Sequence, residues 1–261
     1  MSASAAGGAR GADVSAARPA SRIAVLAPAV ADQIAAGEVV ERPASALKEL
    51  VENAIDAGAT TIEIALEEGG RTLIRVSDDG CGMSRDELLL ALERHATSKI
   101  RTAADLVGVS SFGFRGEALP AIASVSRMEI TSAPNPSDAT VVRVAGGAIT
   151  EVASAARRVG TTVSVAQLFY NVPARLKFLR SARSEWRAAT DSLIATALCR
   201  RDLRIGVTHD GKNALTLPPA SSMRARVAGI WGATFADRFI DADDVSGPVT
   251  WEPRVAAYFS R

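Results

Sequence analysis

The sequence predicts an α+β fold in which helices cover a mixed, mostly antiparallel β-sheet. Two observations predict it: an amphipathic helix between Pro43 and Gly58, and a series of short stretches with alternating apolar residues, separated by glycine-bearing turns. Strands joined by short turns pair antiparallel, and such a sheet can cover the apolar face of a helix. At 261 residues the chain can hold one large domain, or one domain and part of another.

The composition is that of a soluble globular protein. Apolar residues make up 48% of the chain, and no run approaches the roughly 20 apolar residues that span a bilayer, so we expect no membrane partner. A net charge of +1 does not indicate a nucleic-acid binder, and any DNA contact has to come from a local basic patch. Cys81 and Cys199 are isolated, and we expect free thiols in a reducing compartment.

The beginning of the chain carries little structural signal. Residues 1–21 are mainly Ala, Gly, Ser and Arg, which bury too little surface to offset the entropy of ordering, so we predict a disordered tail. This tail faintly resembles an organelle transit peptide, although a variable start is the favoured interpretation. A short helix is predicted over 28–36, and Gly37 turns the chain towards the next element.

The helix that follows begins at Pro43, whose missing N–H suits a first turn, and ends before Gly58, which suits a left-handed cap. Its apolar residues have the spacing of one core-facing stripe: Leu47, Leu50, Val51, Ala54 and Ile55. Its polar residues are predicted on the opposite side: Glu49, Glu52, Asn53 and Asp56. A solvated face is the ordinary explanation of this pattern, but the motifs that follow favour a ligand site.

A hairpin and a glycine turn come next. Alternating apolar residues predict strands over 61–66 and 73–78, so Asp78 ends a strand where its side chain can face a cleft. The exocyclic amine of adenine is one donor that a buried carboxylate could accept from, and a local Asx-turn is the alternative. Gly80 and Gly82 follow, where the lack of side chains allows a close approach of the backbone to a ligand.

A polar connection then leads to a second helix with a special start. Ser84 is predicted to open a helix, and the stretch 94–116 is long, polar and glycine-punctuated, as functional or disordered connections are. Pro120 is tolerated only in a first turn, which predicts a helix start near Gly116. The free N–H groups of 116–119 would then form an anion site suited to phosphates, next to Gly113.

The rest of the chain supplies further strands and one long helix. Strands are predicted over 128–131, 141–144 and 161–168, and an amphipathic helix over 184–200. The segment 206–213 nearly matches a phosphate-binding loop, but Asn213 replaces the required hydroxyl and the flanking patterns predict a β-hairpin instead. Two prolines at 218 and 219 mark a linker.

These motifs resemble those of a known superfamily. Glu49 to Asn53, Asp78-x-Gly80-x-Gly82 and Gly113 to Leu119 resemble the ATP-binding motifs of the GHKL superfamily, which has the Bergerat α/β sandwich fold. Four segments are similar to the MutL mismatch-repair family in particular: IAAGEVVERPASALKELVENAIDAGAT, RHATSKI, GFRGEAL and FYNVPAR. Pro120 departs from the family pattern and could shift the hinge of the lid.

The resemblance implies a role for each matching residue. Glu49 would be the general base that activates water for ATP hydrolysis, Asn53 the protein ligand of Mg²⁺, and Asp78 the acceptor of the adenine amine. The stretch 94–116 would be the ATP lid. The implied nucleotide-binding residues are Asn53, Asp78, Gly80, Gly82, Thr97, Ser98, Lys99, Gly113, Phe114, Arg115, Gly116, Glu117, Ala118, Leu119 and Thr161.

The resemblance also implies partners and a division into domains. Residues 22–217 would form the ATPase domain, and 218–261 the incomplete beginning of a second, transducer domain. ATP binding would drive homodimerisation, and the partners would be DNA, the mismatch-recognition protein MutS and a downstream helicase or endonuclease in the bacterial cytoplasm, associated with the nucleoid. Basic residues that could meet DNA phosphates are Arg175, Lys177, Arg180 and Arg183, although a solvated charge run is an equal alternative.

Other functions remain open from sequence. A histidine kinase catalytic domain would share the nucleotide pocket but needs a helix pair that carries the phosphorylated histidine, and neither His95 nor His209 lies in such a context. A topoisomerase ATPase subunit fits FYNVPAR and RHATSKI less well. A DNA-binding assembly module with nucleotide as a structural ligand is the non-enzyme alternative.

Overall fold

An eight-stranded β-sheet forms the centre of the fold. The computed structural model describes residues 36–37, 39–94, 96, 116–241 and 258–260. The strands are β1 Thr61–Glu67, β2 Leu73–Asp78, β3 Arg127–Ala133, β4 Thr140–Ala145, β5 Ala148–Ser154, β6 Gly160–Ala166, β7 Arg204–His209 and β8 Lys212–Leu217. Their order is β5-β4-β3-β6-β2-β1-β7-β8. Every pair is antiparallel except β1 with β7, which confirms the mixed, mostly antiparallel sheet.

Helices and a small second sheet complete the described fold. The helices are α1 Pro43–Asp56, α2 Arg85–Leu90, α3 Ala118–Ser124, α4 Pro173–Phe178, α5 Ala182–Cys199, α6 Met223–Trp231 and α7 Ala233–Ala236, with a 3₁₀ turn at Glu68–Gly70. Two short strands, β9 Phe239–Asp241 and β10 Tyr258–Ser260, pair antiparallel in a separate sheet. Among the described residues, no helix is both long and apolar enough to cross a membrane.

The hydrophobic core lies between the sheet and the helices. In β1 the side chains of Ile62, Ile64 and Leu66 are buried while Glu63 between them is exposed, which is the period-two pattern of a sheet with one covered face. Helix α1 packs against β2, α3 and α5 and contributes the fully buried Leu47 to the core. Because α1 is held on several sides, the positions of its polar residues are fixed by the core.

Helix α1 matches its predicted ends but differs in one polar residue. Pro43 is in its first turn, and Gly58 follows with φ +76°, as predicted. Glu52, predicted on the polar side, is buried at 7% exposure, and Lys48 Nζ lies 3.2 Å from its Oε1. The prediction for Glu52 is wrong because α5 covers α1 in addition to the sheet, so the buried arc is wider than one stripe.

The predicted strands are found, and three strands were not predicted: β5 and the short β9 and β10. Strand β5 escapes sequence analysis because it is an edge strand whose residues 148–151 are all exposed and carry no apolar alternation. The turn before β5 could have been predicted from its two glycines, Gly146 and Gly147, which both adopt positive φ. Strand β6 ends two residues before the predicted Leu168, because the chain turns at Gln167 with φ +53°.

Local signals set three other elements, two of them as predicted and one with an earlier start. Ser84 caps α2 in a capping box with Glu87. The turn of the β7–β8 hairpin consists of Asp210 at φ +49° and Gly211 at φ +74°, a pairing of positive angles that fits a two-residue hairpin and excludes a phosphate loop. Helix α5 begins at Ala182, two residues before the predicted start, because Ser181 provides its N-cap.

Candidate functional site

Three elements meet where β2 ends. The N–H of Cys81, in the glycine turn after β2, donates to the carbonyl oxygen of Ala57 at the end of α1 over 2.9 Å. A Cβ on Gly80 would lie 2.8 Å from the Cβ of Ala57, so only glycine fits this contact. From the other side, the first residues of β6 reach Asp78: the Thr161 N–H donates to Asp78 Oδ1 over 3.2 Å. The predicted base, metal ligand and adenine acceptor therefore belong to elements that touch one another.

The two α1 residues predicted to act on ATP lie on one row of the helix. Ser45, Glu49, Asn53 and Ala57 are spaced by four residues, and all four are half-buried. At a rise of about 1.5 Å per residue, Asn53 lies about 6 Å and Glu49 about 12 Å along the axis from Ala57. The row therefore leads along α1 from the contact with Gly80 towards Glu49.

Asp78 is held by backbone donors from two parts of the chain. Its Oδ1 accepts from the Gly80 N–H over 2.9 Å, which is the local turn expected as an alternative, and also from Thr161 on a neighbouring strand. Burial raises the pKa of Asp78, while those two backbone hydrogen bonds and the positive charge of Arg157 lower it by a smaller amount. Since both of these bonds end on Oδ1, a ligand donor would be accepted by Oδ2.

A buried hydroxyl that sequence analysis missed lies behind Thr161. Ser132 Oγ is 2.8 Å from Thr161 Oγ1, accepts from the Met83 N–H over 2.8 Å and is 3.3 Å from the Gly160 carbonyl oxygen. The strand alternation contained the signal, because Ser132 follows Met128 and Ile130 at spacing two and shares their buried face. A hydroxyl at such a position needs hydrogen-bond partners.

The second glycine of the turn is required by the protein itself. Gly82 has φ +68°, and a Cβ there would lie 2.1 Å from the carbonyl oxygen of Ala133 at the end of β3. The close approach predicted for a ligand is thus an approach to the chain's own backbone at both Gly80 and Gly82. Contact of either glycine with nucleotide stays a prediction.

Comparison with known proteins identifies the family. Residues 41–165 match the family model described as "Histidine kinase-, DNA gyrase B-, and HSP90-like ATPase". The DNA mismatch repair protein MutL of Gemmatimonas aurantiaca is 62% identical over 229 residues, and that of Trichlorobacter lovleyi is 52% identical over 198 residues. These alignments cover 88% and 76% of this chain but only 38% and 34% of the two relatives.

Two solved structures of DNA repair proteins are similar to this chain in fold. The Aquifex aeolicus MutL ATPase domain in complex with ADP is 28% identical with a TM-score of 0.62, over 78% of this chain and 72% of that chain. The N-terminal domain of a DNA repair protein is 30% identical with a TM-score of 0.68, over 80% of this chain and 63% of that chain.

The chain belongs to the MutL family. Its fold is the GHKL ATPase fold of the MutL ATPase domain, as the sequence predicted. The chain spans between a third and two fifths of the length of the two curated MutL relatives.

In this MutL-family chain, α3 starts at Ala118, two residues after the predicted start at Gly116, with Glu117 as N-cap. Gly116 has φ +63°, and Pro120 is the third helical residue, which confirms its first-turn position. Helix α3 packs against α1, the element that carries Glu49 and Asn53. The other predicted residues of the lid lie outside the described residues: Thr97, Ser98, Lys99, Gly113, Phe114 and Arg115.

The basic residues assigned to DNA divide into two kinds. The Arg175 guanidinium is half-buried and donates to the carbonyl oxygens of Val40 over 2.6 Å and Gly37 over 2.7 Å. Lys177, Arg180 and Arg183 are exposed. Arg175 thus holds the segment before α1, and its contact with DNA has no support from this geometry.

Proposed function

We propose that this chain is the ATP-binding and slowly ATP-hydrolysing N-terminal region of a MutL-type DNA mismatch-repair protein. The observation that carries the proposal is the junction at the end of β2, where Asp78 meets Thr161 and the glycine turn touches the end of α1. A half-buried acid and amide lie on the row of α1 that leads to this junction. The family match adds that these motifs occur on an ATPase fold.

Asp78 and Thr161 would read the base. With Oδ1 engaged by two N–H groups, Oδ2 would accept the exocyclic amine of adenine, and the Thr161 hydroxyl, hydrogen-bonded to Ser132, would add a second polar contact. Guanine carries a carbonyl oxygen at the position of that amine, which would face the carboxylate acceptor to acceptor. A site built to accept from an amine rejects a ligand that lacks it, because a buried polar group is left unpaired.

Glu49 would act on the attacking water. A half-buried carboxylate on a rigid helix can hold a water molecule and take its proton as that water attacks the γ-phosphate. The Asn53 side-chain oxygen is a hard neutral ligand one turn away and fits Mg²⁺, which takes few protein ligands and keeps its phosphate and water ligands. When bound, Mg²⁺ would neutralise charge on the phosphates.

Backbone and lid residues would hold the phosphates. The N–H groups of 116–119, at the start of α3, would bind phosphate, because α3 packs against α1. The lid stretch 94–116 would supply Thr97, Ser98, Lys99 and the residues from Gly113 to Arg115. Residues 22–217 would form the ATPase domain, and 218–261 would begin a second domain.

The test is a comparison of binding with turnover. Glu49→Ala should keep nucleotide affinity and lower hydrolysis by roughly 10²-fold or more, because only the proton acceptor is removed. Asp191→Ala, at an exposed position on α5, is the matched control and should change neither quantity. Asn53→Ala should weaken binding only when Mg²⁺ is present. Unchanged turnover in Glu49→Ala, or a wild-type chain that binds no ATP, would overturn the proposal.

In the whole protein, ATP binding would drive homodimerisation and couple MutS to a downstream helicase or endonuclease in the cytoplasm, at the nucleoid. Lys177, Arg180 and Arg183 would contribute to DNA binding through phosphate contacts. Each phosphate contact adds about 0.9 to the slope of log affinity against log salt. Replacement of all three by Gln should therefore lower the slope by about 2 to 3.

The control for the DNA experiment is a second triple replacement by Gln at exposed arginines elsewhere: Arg85, Arg158 and Arg238. It makes the same change in net charge, so general electrostatics would affect both variants equally. Equal slopes for the two triple variants would remove the DNA assignment and leave the ATPase proposal intact.

A further inference from the structure

Arg157 lies on the connection between β5 and β6, and its guanidinium reaches the end of β2. Nη2 donates to the carbonyl oxygen of Asp78 over 2.6 Å and to Ser77 Oγ over 3.4 Å, and Nη1 donates to the Thr131 carbonyl oxygen over 3.4 Å. The side chain thus joins β2 to β3 across β6, which lies between them in the sheet. No sequence motif singled it out.

The same connection is fixed at a second point. Gly160 adopts φ +122°, and a Cβ there would lie 2.2 Å from the carbonyl oxygen of Asp78. The next residue, Thr161, donates its N–H to the Asp78 carboxylate. The backbone and the side chain of Asp78 are therefore both positioned by residues 157–161.

The charge of Arg157 acts on that carboxylate. Burial raises the pKa of Asp78, and among the described residues the charges that act on it are Arg157, which lowers this pKa, and Asp79, which raises it. The hydroxyls of Ser77 and Thr162 nearby are neutral and bond to each other at 2.9 Å. Burial also lowers the pKa of Arg157 itself, as expected for a cation held in the fold rather than in solvent.

We propose that Arg157 is a specificity-determining positioning residue of the nucleotide site, which fixes the end of β2 and supplies the cation that keeps Asp78 an acceptor for the adenine amine. This rests on the proposed ATP-binding function. Because Oδ1 already accepts two N–H groups, a proton bound by the carboxyl group goes to Oδ2. The acceptor that the amine requires then becomes a donor, and adenine loses its partner.

The experiment is a pH profile of ATP affinity measured by calorimetry between about pH 5 and pH 8. ATP affinity should fall as pH is lowered, and this part of the profile is called the acid limb. In Arg157→Gln the acid limb should move to higher pH by about half to one unit, because one nearby cation is removed. Affinity at the alkaline end should stay within about threefold of wild type, because the effect of Arg157 on the ionisation of Asp78 fades as pH rises above the pKa of that group. A merely structural role would lower affinity equally at every pH.

Three further variants make the outcome decisive. Arg158→Gln removes the exposed neighbouring charge and should leave the profile unchanged. Arg157→Lys retains the cation and should keep the acid limb within a few tenths of a unit of wild type. Arg157→Met is a second neutral replacement, for use if Arg157→Gln does not fold, and should shift the limb by the same amount. An Arg157→Gln or Arg157→Met limb that superimposes on that of Arg158→Gln would overturn the inference.

Asp78→Asn separates failure of this inference from failure of the proposed function. If Asp78 reads adenine, this variant should lose both the preference for ATP over GTP and the acid limb. Retention of the preference would remove the base-reading role of Asp78. Loss of the preference together with an unshifted limb in Arg157→Gln would remove only the role of Arg157.

Discussion

Asp78 and Asp79 are adjacent carboxylates whose pKa values are shifted in opposite directions. Burial raises the pKa of Asp78, and its hydrogen bonds do not compensate. Burial also raises that of Asp79, but hydrogen bonds from Thr60 and Thr61 outweigh this effect and lower the pKa. The surroundings of the first carboxylate thus disfavour its charged form, as is common at ligand sites, whereas those of the second favour the charged form and stabilise the fold.

Asp78→Asn should increase the stability of the nucleotide-free protein near neutral pH. The pKa of Asp78 is raised above 3.8 on folding, so the stability from this group is present below pH 3.8 and is lost as pH rises through the folded-state pKa. Asparagine carries no charge, and its amide oxygen can still accept from Gly80 and Thr161. Urea unfolding at several pH values should show the advantage of the variant growing with pH and then levelling. A variant less stable than wild type at neutral pH would contradict this.

Asp79→Asn should destabilise the protein in the opposite pH range. Asp79 accepts from the Thr60 N–H over 2.7 Å, the Thr60 hydroxyl over 2.6 Å and the Thr61 N–H over 2.8 Å. Because folding lowers its pKa, its stabilisation is present above pH 3.8 and is lost as pH falls through the folded-state pKa. We expect a loss on the order of 1 kcal/mol at neutral pH that disappears in acid. A constant loss at all pH values would exclude an electrostatic origin.

The surroundings of Asp78 show which features of the site could be predicted from the sequence. The strand pattern predicted that Asp78 ends β2, and the glycine signals predicted the turn after it, because both are local. The partners of Asp78 come from residues 157–161, about 80 positions away, and no local signal in the sequence records that approach. Ser132 was predictable in principle from alternation, whereas Arg157 has no periodic pattern that reveals its target.

Gly82→Ala should cost more stability than Gly58→Ala, although both glycines have similar positive φ values of +68° and +76°. The strained φ costs either variant about 1 kcal/mol. At Gly58 a Cβ meets nothing within 4 Å, whereas at Gly82 it would lie 2.1 Å from the Ala133 carbonyl oxygen. We expect an additional loss of about 1 to 3 kcal/mol for Gly82→Ala in denaturant unfolding. Equal losses would mean that the turn moves away from β3 without cost.

Arg175→Ala should destabilise the fold rather than weaken DNA binding alone. Its guanidinium bonds two carbonyl oxygens in the segment before α1 and lies 5.4 Å from the centre of the Phe169 ring. Loss of charged donors to these partly buried carbonyl oxygens costs about 1.5 to 3 kcal/mol. Arg183→Ala, at an exposed position, should stay within about 0.5 kcal/mol of wild type. Similar stabilities of the two variants would show that the segment before α1 is held by other contacts.

At Arg226, the first buried residue of α6, the contributions of packing and of hydrogen bonding to stability can be separated. It is 1% exposed, and its Nη2 donates to the carbonyl oxygens of Arg201 over 2.6 Å and Leu203 over 2.7 Å. The Arg201 oxygen also accepts from the Ala220 N–H, so it keeps a partner without Arg226. Within the described residues, Nε and Nη1 of Arg226 are buried without a hydrogen-bond partner. Its removal therefore relieves a desolvation cost as well as breaking bonds.

Two substitutions at this position should give different stabilities. Arg226→Ala leaves a cavity and should cost about 2 to 4 kcal/mol, whereas Arg226→Met fills most of the volume and should stay within about 1 kcal/mol of wild type. Arg224→Ala, which breaks an exposed ion pair with Asp237 at 2.7 Å, is the control and should cost less than about 1 kcal/mol. Urea unfolding of the three variants measures each loss. If Arg226→Met were as unstable as Arg226→Ala, the hydrogen bonds would outweigh the volume, and α6 would be held to the turn before β7 by its guanidinium.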